Sequence, residues 1–363
     1  MRIALLGTRG IPANYGGFET FAEEISVRLV ERGHRVTVYC RGKHSSNRYR
    51  GHYRGVDLRY LPTLRHKYLD TVAHTALSTT DLLFRRFDVV LYCNAANAVF
   101  TLWPRLVGMP TALNVDGIER RRKKWNALAR SWYLISEWLA TWCCSAVITD
   151  AETIRQYYLA RFGKLSTFIP YGAPTGKVPE ADQIRALGLE PGKYVLYVSR
   201  MEPENNALLV REAFENVKTD YKLVLVGDAP YAESYIQQVR QTADPRILIP
   251  GAIYGAAYRQ LQSHCAVYVQ ATEVGGTHPA LIEAMGRGAL VLYLRTPESD
   301  EVTAGTAVPF GDNLVEKLQW AVDTSEEERL AWGRRARERI ERLYSWEAVT
   351  DLYEDLLKSL VTK

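Results

Sequence analysis

Short runs of branched and aromatic apolar residues alternate with longer helical patterns along the chain, and this alternation restricts the fold more than any other feature. The first part of the chain has six predicted strands, at residues 2–6, 35–40, 56–61, 88–93, 111–115 and 146–149. Predicted helices lie between them, at residues 18–31, 68–86, 96–107, 123–144 and 151–161. Parallel strands need such helical crossovers. The sequence therefore predicts an α/β fold with a parallel sheet.

A glycine- and proline-rich segment, residues 171–179, interrupts the alternation of predicted strands and helices, which resumes after it. Such a segment is typical of a crossing between domains. Beyond it the sequence predicts five strands, at residues 194–199, 222–226, 246–249, 266–270 and 290–294, and three closing helices, at residues 313–323, 326–343 and 346–360. We predict two Rossmann-like, doubly wound domains, residues 1–172 and 173–345, that face a central cleft. Helix 346–360 is a candidate to pack back on the first domain.

The charge of the chain is divided unevenly between these two domains. The 46 Lys and Arg against 41 Asp and Glu give a net charge of only +5. Residues 1–172 hold 25 of the basic and 13 of the acidic residues, or +12, which leaves 21 and 28, or −7, for the remainder. A strongly basic half indicates an anionic partner, either nucleic acid or a membrane surface.

The cysteines and the apolar stretches bear on the cellular compartment in which the protein is expected. Five cysteines without a C-x-x-C pair indicate neither a zinc site nor a redox motif, and reduced thiols in the core of a cytoplasmic protein are expected. The apolar run at the N-terminus is too short for a signal peptide. The most apolar long stretch, residues 132–149, contains Glu137, so we expect no transmembrane helix.

Four glycines, Gly7, Gly10, Gly16 and Gly17, lie between the first predicted strand and its helix. Glycine permits positive φ and close approach of the backbone to a ligand, and a helix N-terminus attracts anions. The spacing is not G-x-G-x-x-G, and no acidic residue ends the second strand, which argues against NAD. A strand-to-helix turn with incidental glycines is the alternative.

A second loop of this kind, with Gly275, Gly276 and Thr277, follows a predicted strand and opens a helix. Its backbone N–H groups suit a phosphate. One turn into that helix, the carboxylate of Glu283 suits a bidentate hydrogen bond to vicinal sugar hydroxyls, although a solvated glutamate on a capped helix is the alternative. Arg200 follows another strand, where its guanidinium suits a diphosphate.

Motifs in the same order across both domains carry a resemblance to a known family. They are Gly7-Thr8-Arg9-Gly10-Ile11-Pro12, Tyr15-Gly16-Gly17-Phe18-Glu19-Thr20, Asn114-Val115-Asp116-Gly117-Ile118-Glu119, Lys124-Trp125-Asn126, Ile169-Pro170-Tyr171-Gly172, Arg200, Pro203-Glu204-Asn205-Asn206, and Gly275-Gly276-Thr277-His278-Pro279 with Glu283-Ala284-Met285. Together they resemble the retaining GT-B glycosyltransferases of family four, closest to the bacterial rhamnosyltransferase-like branch of polysaccharide assembly. The resemblance covers nearly the whole chain and implies a GT-B fold.

The resemblance implies a metal-independent transfer of a hexose or deoxyhexose, L-rhamnose in that branch, from a dTDP- or UDP-linked donor with retention. The expected acceptor is a saccharide, lipid-linked, in cell-surface polysaccharide synthesis. Residues 173–345 would bind the nucleotide-sugar and residues 1–172 the acceptor, with no cofactor besides the donor. The chain has no D-x-D tripeptide, which agrees with a site without metal. We expect a cytoplasmic protein without a nucleic-acid partner, with an anionic membrane surface at the inner face of the plasma membrane as a candidate partner.

The donor-binding residues are expected to be Gly16, Gly17, Arg200, Asn205, Glu273, Gly275, Gly276, Thr277, His278 and Glu283. Glu283 matches the ribose-binding glutamate of the family, and Arg200 matches its diphosphate-binding arginine. Two positions depart from the family pattern. Asn205 replaces a lysine, and Gly275 replaces the first glutamate of an E-x7-E motif, with Glu273 two residues earlier.

On the acceptor side we predict contacts from Arg9, Tyr15, Asn94 and Asp116. Asp116 is predicted to orient or deprotonate the acceptor hydroxyl, Glu119 to assist it, and Arg200 to stabilise the charge on the leaving diphosphate. The alternative role of Asp116 is to cap the turn before the next helix.

Five consecutive basic residues, 120–124, precede apolar residues that share one helix face, at positions 125, 128, 132, 135, 139 and 142. We predict that this face packs on the first sheet, and a membrane-surface role for the basic stretch and residues 41–65 is the sharper alternative. Two other functions stay open: a nucleic-acid-binding protein, and a non-hydrolysing nucleotide-sugar epimerase, which also has two such domains.

Overall fold

The computed structural model describes residues 1–13, 16–42, 51–64, 70–118, 120, 126–229 and 232–362. It divides into two compact units. Unit 1 comprises Met1–Tyr171 and Trp346–Lys363, and unit 2 comprises Gly172–Ser345. Each unit is an α/β structure built on a parallel sheet, as the alternation of strands and helices predicts.

The sheet of unit 1 has eight strands in the described part of the chain: β1 (Arg2–Leu6), β2 (Arg35–Arg41), β3 (His52–Tyr53), β4 (Val56–Leu61), β5 (Val89–Cys93), β6 (Thr111–Asn114), β7 (Ala146–Thr149) and β8 (Thr167–Phe168). Their order is β3-β4-β2-β1-β5-β6-β7-β8, and only the edge pair β3–β4 is antiparallel. The direction of strand succession reverses between β1 and β5. In such sheets the ligand crevice lies beyond the carboxyl ends of the strands at this reversal.

The helices of unit 1 that precede the crossing to unit 2 are α1 (Gly17–Glu31), α2 (Asp70–Leu83), α3 (Leu102–Leu106), α4 (Ala127–Cys143) and α5 (Glu152–Phe162). The single helix predicted at residues 96–107 is instead a 3-10 helix, Ala95–Thr101, followed by α3. Pro104 explains the change, because it has no N–H to donate to the carbonyl of Phe100. That carbonyl accepts the hydroxyl of Tyr92 at 3.5 Å.

The described residues of unit 2 form six parallel strands, β9 (Tyr194–Val198), β10 (Lys222–Val226), β11 (Ile247–Gly251), β12 (Val267–Gln270), β13 (Leu290–Leu294) and β14 (Val308–Phe310). Their order, β11-β10-β9-β12-β13-β14, is the 3-2-1-4-5-6 succession of Rossmann folds, with its reversal between β9 and β12. The helices are α6 (Asp182–Ala186), α7 (Ala207–Glu215), α8 (Glu233–Arg240), α9 (Gly255–His264), α10 (Pro279–Gly286), α11 (Pro297–Thr303), α12 (Leu314–Asp323) and α13 (Glu326–Leu343).

The last helix, α14 (Trp346–Val361), belongs to unit 1. The ring of Tyr353 packs on Phe21 with centroids 5.1 Å apart, and both rings are buried in the core of that unit. At the surface, Glu354 pairs with Arg32 at 2.9 Å. The ammonium group of Lys358 and then the imidazole of His34 lower the pKa of Glu354 to about 2. Both apolar packing and ion pairs therefore attach α14 to unit 1.

The prediction that the apolar face of α4 packs on the first sheet is wrong for its described residues except Leu139, which packs against the core of unit 1. Leu128, Trp132, Ile135 and Trp142 are exposed. The buried side of α4 consists of small or hydrogen-bonding residues, Tyr133, Ser136, Glu137, Ala140, Thr141 and Cys143. Small residues allow α4 to pack closely, and buried Glu137 accepts the hydroxyl of Tyr157 at 2.7 Å and pairs with Arg120 at 3.2 Å. Residues 121–124 of the basic stretch and Trp125 of the predicted apolar face lie outside the described residues.

All five cysteines are buried free thiols. Burial raises the pKa of Cys40, Cys144 and Cys265 to about 12, so these thiols are protonated at neutral pH. Among the described residues, no helix has the length and hydropathy needed to cross a bilayer.

Candidate functional site

In unit 2 the predicted donor-binding loops follow the two strands at which the sheet order reverses. The Arg200 loop follows β9, and the loop of Glu273 to His278 follows β12, its hydrogen-bonded neighbour. Since parallel strands end at the same edge, the two loops lie side by side at the reversal. The motifs therefore meet at the place where this fold class binds its ligands.

Asn205 stabilises the Arg200 loop through two hydrogen bonds. Its side-chain amide donates to the carbonyl of Arg200 at 2.7 Å, and its own carbonyl accepts the hydroxyl of Tyr197 at 2.7 Å. Asn205 is almost fully buried. A lysine at this position would hold a charge at the loop, whereas the asparagine fixes the backbone that carries Arg200.

Asn206 joins the two loops. It adopts the left-handed conformation with φ 60°, which asparagine tolerates better than most residues. Its side-chain amide donates to the carbonyl of Ala271 at 2.9 Å and to Oε1 of Glu273 at 3.1 Å. The backbone N–H of Glu273 donates in turn to the carbonyl of Glu204 at 3.0 Å. Glu273 thus has an observed role in holding the loops together.

The guanidinium of Arg200 is half exposed and lies 3.7 Å from the carboxylate of Glu202, which is nearly buried. This distance is long for an ion pair, so the contact with Glu202 is weak and leaves the guanidinium available to bind an anion. Arg200 is therefore an accessible cation at the carboxyl end of β9.

Gly275 lies directly against the imidazole of His278. A Cβ atom at position 275 would stand 2.5 Å from Cε1 and 2.9 Å from Nδ1 of that ring. His278 is buried at the N-cap of α10, and Thr277 beside it is buried as well. A side chain at position 275, such as the glutamate of the E-x7-E pattern, would therefore require the imidazole of His278 to move.

Two side chains of α9 hold the carboxylate of Glu283. The hydroxyl of Tyr258 donates to its Oε2, and Nε2 of Gln262 lies 3.4 Å from the same oxygen. Gln262 also donates to the Tyr258 hydroxyl at 2.8 Å. Tyr258 and Gln262 are four residues apart, so they share one face of α9. Sequence reasoning found Glu283 but missed both partners.

In unit 1 the corresponding reversal lies between β1 and β5. Gly7, which follows β1, has φ +93°, and a Cβ on it would stand 2.2 Å from the carbonyl oxygen of Cys93. Only glycine fits both the conformation and the space. Asn94, which follows β5, has φ 74° and donates its N–H to the carbonyl of Asn114 at 2.9 Å. The ends of β1, β5 and β6 are therefore packed closely together.

Asp116 follows β6 with φ 59°, and its backbone N–H donates to Oδ1 of Asn114 at 2.9 Å. Nδ2 of Asn114 donates to the hydroxyl of buried Tyr353 at 2.7 Å. A positive φ at a non-glycine residue is uncommon and concentrates at functional sites. The N-cap of α4 is Asn126, which accepts the N–H of Ala129, so Asp116 does not cap that helix.

The glycine-rich loop of unit 1 is held by carboxylates of α1. Arg9 donates its backbone N–H to Oε1 of Glu19 at 3.1 Å, and Ala13 donates to Oε2 of Glu23 at 2.6 Å. Burial raises the pKa of Glu19, which the N–H of Arg9 partly offsets. Gly16 is the N-cap of α1 and Gly17 its first residue. Tyr15 and Glu119 lie outside the described residues.

Two family descriptions match the chain. The glycosyl transferase 4-like domain matches residues 16–172, and glycosyl transferases group 1 matches residues 192–324. The chain is a GT-B glycosyltransferase. No curated protein sequence matches it.

Solved structures share the fold of this glycosyltransferase at low sequence identity. Sucrose-phosphate synthase from Thermosynechococcus elongatus is 18% identical over 99% of each chain, with a TM-score of 0.81. Anabaena HepE in complex with UDP and glucose is 15% identical over 99% of this chain and 100% of its own, with a TM-score of 0.81. A trehalose-phosphate synthase from Burkholderia xenovorans is 12% identical over 99% and 100%, with a TM-score of 0.76. At these identities the similarity shows the fold.

The two loop clusters of this glycosyltransferase differ in chemistry. Unit 2 combines an accessible guanidinium, a helix N-terminus and a fixed carboxylate, groups that can bind a diphosphate and a vicinal diol. Unit 1 places Asp116 at a strand end, where a carboxylate can accept the proton of a hydroxyl. The match to glycosyltransferases leaves the epimerase and nucleic-acid interpretations without support.

Some of the residues that hold these loops and side chains in place are not indicated by the sequence. Glu19 appears in the sequence only within a motif, although an acidic residue in the first turn of a helix is a recognisable signal. Tyr258, Gln262 and Tyr353 gave no such signal, because their roles depend on which helices become neighbours.

Proposed function

We propose that this glycosyltransferase transfers a hexose or deoxyhexose, with L-rhamnose as the first candidate, from a dTDP- or UDP-linked donor to a saccharide acceptor with retention. The acceptor is lipid-linked and the product serves cell-surface polysaccharide synthesis. One observation carries the donor half of the proposal: Arg200, the loop of Gly275 to Thr277 and Glu283 converge at the strand reversal of unit 2. The UDP and glucose named for HepE support a nucleotide-sugar donor.

The ribose and the diphosphate of the donor each have proposed binding groups. Glu283 accepts hydrogen bonds from the ribose hydroxyls, because an ionised carboxylate offers two acceptor oxygens. The Tyr258 hydroxyl and the Gln262 amide fix its orientation before the donor binds. Arg200 and the N–H groups of Gly275, Gly276 and Thr277 face the diphosphate, and His278 and Glu273 support that loop.

In the transfer step the bond between the anomeric carbon and the diphosphate oxygen breaks, and the diphosphate keeps the electron pair. The acceptor oxygen forms the new bond and loses its proton. Negative charge grows on the diphosphate, where Arg200 and the loop N–H groups stabilise it. Removing one such donor typically slows a reaction by about 10²–10³. We propose that this stabilisation requires no metal ion, and turnover should persist in the presence of a chelator.

On the acceptor side, Asp116 orients or deprotonates the reacting hydroxyl and Glu119 assists. The positive φ of Asp116 and its link through Asn114 to Tyr353 support a fixed position for this carboxylate. Arg9, Tyr15 and Asn94 are the proposed acceptor contacts. The charge of +12 on residues 1–172 supports an anionic, diphosphate-linked acceptor.

Donor identity is tested by thermal unfolding of the chain with dTDP, UDP, GDP and their sugars. A ligand present at 100 times its Kd should stabilise the protein by about 2.7 kcal/mol. If GDP compounds stabilise the protein and dTDP and UDP compounds do not, the donor assignment is wrong.

The catalytic roles are tested with Arg200→Ala and Asp116→Asn. Each should reduce transfer by about 10²-fold or more while the fold is retained. Arg185→Ala, an exposed arginine of α6, is the matched control and should keep full turnover. Wild-type kinetics in either site variant would remove that residue from the mechanism.

A further inference from the structure

A cavity of about 400 Å³ lies within unit 2, at the edge of its sheet opposite to the donor-binding loops. Most of its lining residues belong to the segments that lead into β9, β10, β12 and β13 or to the start of α13. The donor-binding loops follow β9 and β12, so the five residues of β9, about 16 Å of strand, separate them from the cavity. The volume is that of an ordinary small-molecule pocket, and the cavity shares no residue with the proposed donor site.

The cavity is positively charged although the unit around it is acidic. Lys177, Lys193 and Arg329 line it, against a single carboxylate, that of Glu326 at the start of α13. Unit 2 as a whole has 19 basic and 24 acidic residues, a net charge of −5. The concentration of cations in the cavity is therefore a local feature and does not follow from the charge of the unit.

These three cations have little counter-charge among the described residues. Nζ of Lys193 lies 3.8 Å from Oδ2 of Asp220, and both side chains of this weak ion pair are at least half exposed. Arg329 donates through Nη1 to the carbonyl of Thr324. Lys177 is exposed and has no ion pair with the described residues. Cations gathered in this way repel one another, so an anion that enters the cavity is attracted by all three.

The ring of Tyr221 positions two of the cations. Its centre lies 5.1 Å from Nζ of Lys193 and 5.8 Å from Cζ of Arg329, distances at which cation–π attraction operates. Tyr221 is buried, so the ring is a fixed support for both groups. Apolar side chains form another part of the wall: Pro191, Ala266, Leu290 and Leu330.

We propose that this cavity binds a small organic phosphate monoester, with its phosphate held by Lys177, Lys193 and Arg329 and its organic group along the apolar wall. A phosphate monoester carries a charge of about −1.5 to −2 at neutral pH, which matches the charge of +2 left by three cations and Glu326. The guanidinium can donate two parallel hydrogen bonds to phosphate oxygens, and the lysines act as point charges. Inorganic phosphate supplies the same charge but leaves most of the cavity unfilled.

The test is titration calorimetry of the full chain with ribose 5-phosphate, phenyl phosphate, inorganic phosphate and ribose at constant ionic strength. At least one ester should bind, about tenfold or more tightly than inorganic phosphate, and ribose should not bind. Failure of both esters to bind would overturn the proposal. Inorganic phosphate that binds as tightly as the esters would overturn it as well, because the cavity would then be a simple anion site.

Variants of the charged residues locate the binding. Lys177→Gln combined with Arg329→Gln should weaken ester binding by about tenfold or more, because two charged donors are lost. Lys177→Gln alone, at an exposed side chain, should weaken it by about threefold and tests the site even if Arg329→Gln disturbs the fold. Glu326→Gln should have the opposite effect and strengthen binding by about threefold. Unchanged affinity in the double variant, or weaker binding in Glu326→Gln, would contradict the assignment.

Two controls separate the cavity from the rest of unit 2. Lys317→Gln combined with Arg240→Gln removes two cations of α12 and α8 that do not line the cavity, and this protein should bind the ester like wild type. Arg200→Ala should also retain the binding, because Arg200 lies at the opposite edge of the sheet. An ester that Arg200→Ala no longer binds would be assigned to the donor-binding loops, and the proposal would be wrong.

Discussion

Gly275 offers a direct test of how this glycosyltransferase accommodates its departure from the E-x7-E pattern. Gly275→Ala adds a single methyl group, which would meet the His278 ring at 2.5 Å. His278 is buried, so the ring has little room to move. We expect the substitution to displace the imidazole of His278, the N-cap residue of α10, and to disturb the loop N–H groups.

The size of the effect follows from two opposing terms. Overpacking a filled site costs about 1–3 kcal/mol. Replacing glycine by alanine returns about 0.4–1 kcal/mol by restricting the unfolded chain. Taking the middle of each range, the net destabilisation is about 1.3 kcal/mol, which lowers the melting temperature of a unit of this size by about 3–5 °C. UDP should bind more weakly, by about tenfold if the displaced loop loses about 1.4 kcal/mol of its interaction with the diphosphate.

The assay is thermal unfolding and UDP titration of Gly275→Ala, His278→Ala and the double variant. His278→Ala removes the ring, so adding the alanine at position 275 in that background should cost almost nothing. The coupling energy between the two positions should then be about 1–2 kcal/mol. Additive losses in the double variant, or a Gly275→Ala protein as stable as wild type, would refute the steric explanation.

Three further predictions concern other contacts. Tyr258→Phe removes a hydrogen-bond donor to Glu283, and Gln262 replaces that donor only in part. The Kd for UDP, measured by titration calorimetry, should therefore rise about 3- to 10-fold while kcat stays nearly unchanged. A lower kcat at constant Kd would contradict this. Gly7→Ala should destabilise unit 1 by more than about 2 kcal/mol in urea unfolding, because the positive φ of residue 7 and the nearby carbonyl oxygen of Cys93 both exclude a Cβ atom. Unchanged stability would contradict this. Since the pKa of Glu354 is lowered to about 2, its contribution of about 1–2 kcal/mol is complete above pH 5 and is lost as pH falls toward 2. Urea unfolding at pH 6, 4 and 3 should show a smaller acid loss in Glu354→Gln than in wild type, and equal losses would disprove the role.

The central strands were predictable from sequence because a strand buried on both faces is a continuous apolar run between turns. β1, β7, β10 and β13 begin and end where the sequence indicates, and so does β4, although Asp57 and Arg59 interrupt its apolar residues. The two-residue strands β3 and β8 have no such run, and their pairing depends on a neighbour. Periodicity also identified the apolar face of α4 correctly but assigned it the wrong surroundings. A pattern defines a face, whereas only the packing of the whole unit decides what covers it.

The sequence was enough to predict which loops form the candidate site. Glycines and charged residues after strands, combined with the rule that parallel strands end at one edge, brought Arg200 and Gly275 together. Their supporting contacts were not predictable in this way. The steric exclusion at Gly275 depends on the orientation of the His278 ring, and the position of Tyr353 beside Asn114 depends on the return of α14 to unit 1.

The return of α14 also affects the order in which the two units can be completed during synthesis. Unit 2 is one continuous segment, Gly172–Ser345, so its sequence has left the ribosome before α14 has. Unit 1 begins first, but Phe21 and Asn114 gain their contacts with Tyr353 only after α14 has been synthesised. The two units therefore cannot be completed in the usual N-terminal-first order. Until α14 has left the ribosome, the growing chain carries a unit 1 with part of its core uncovered.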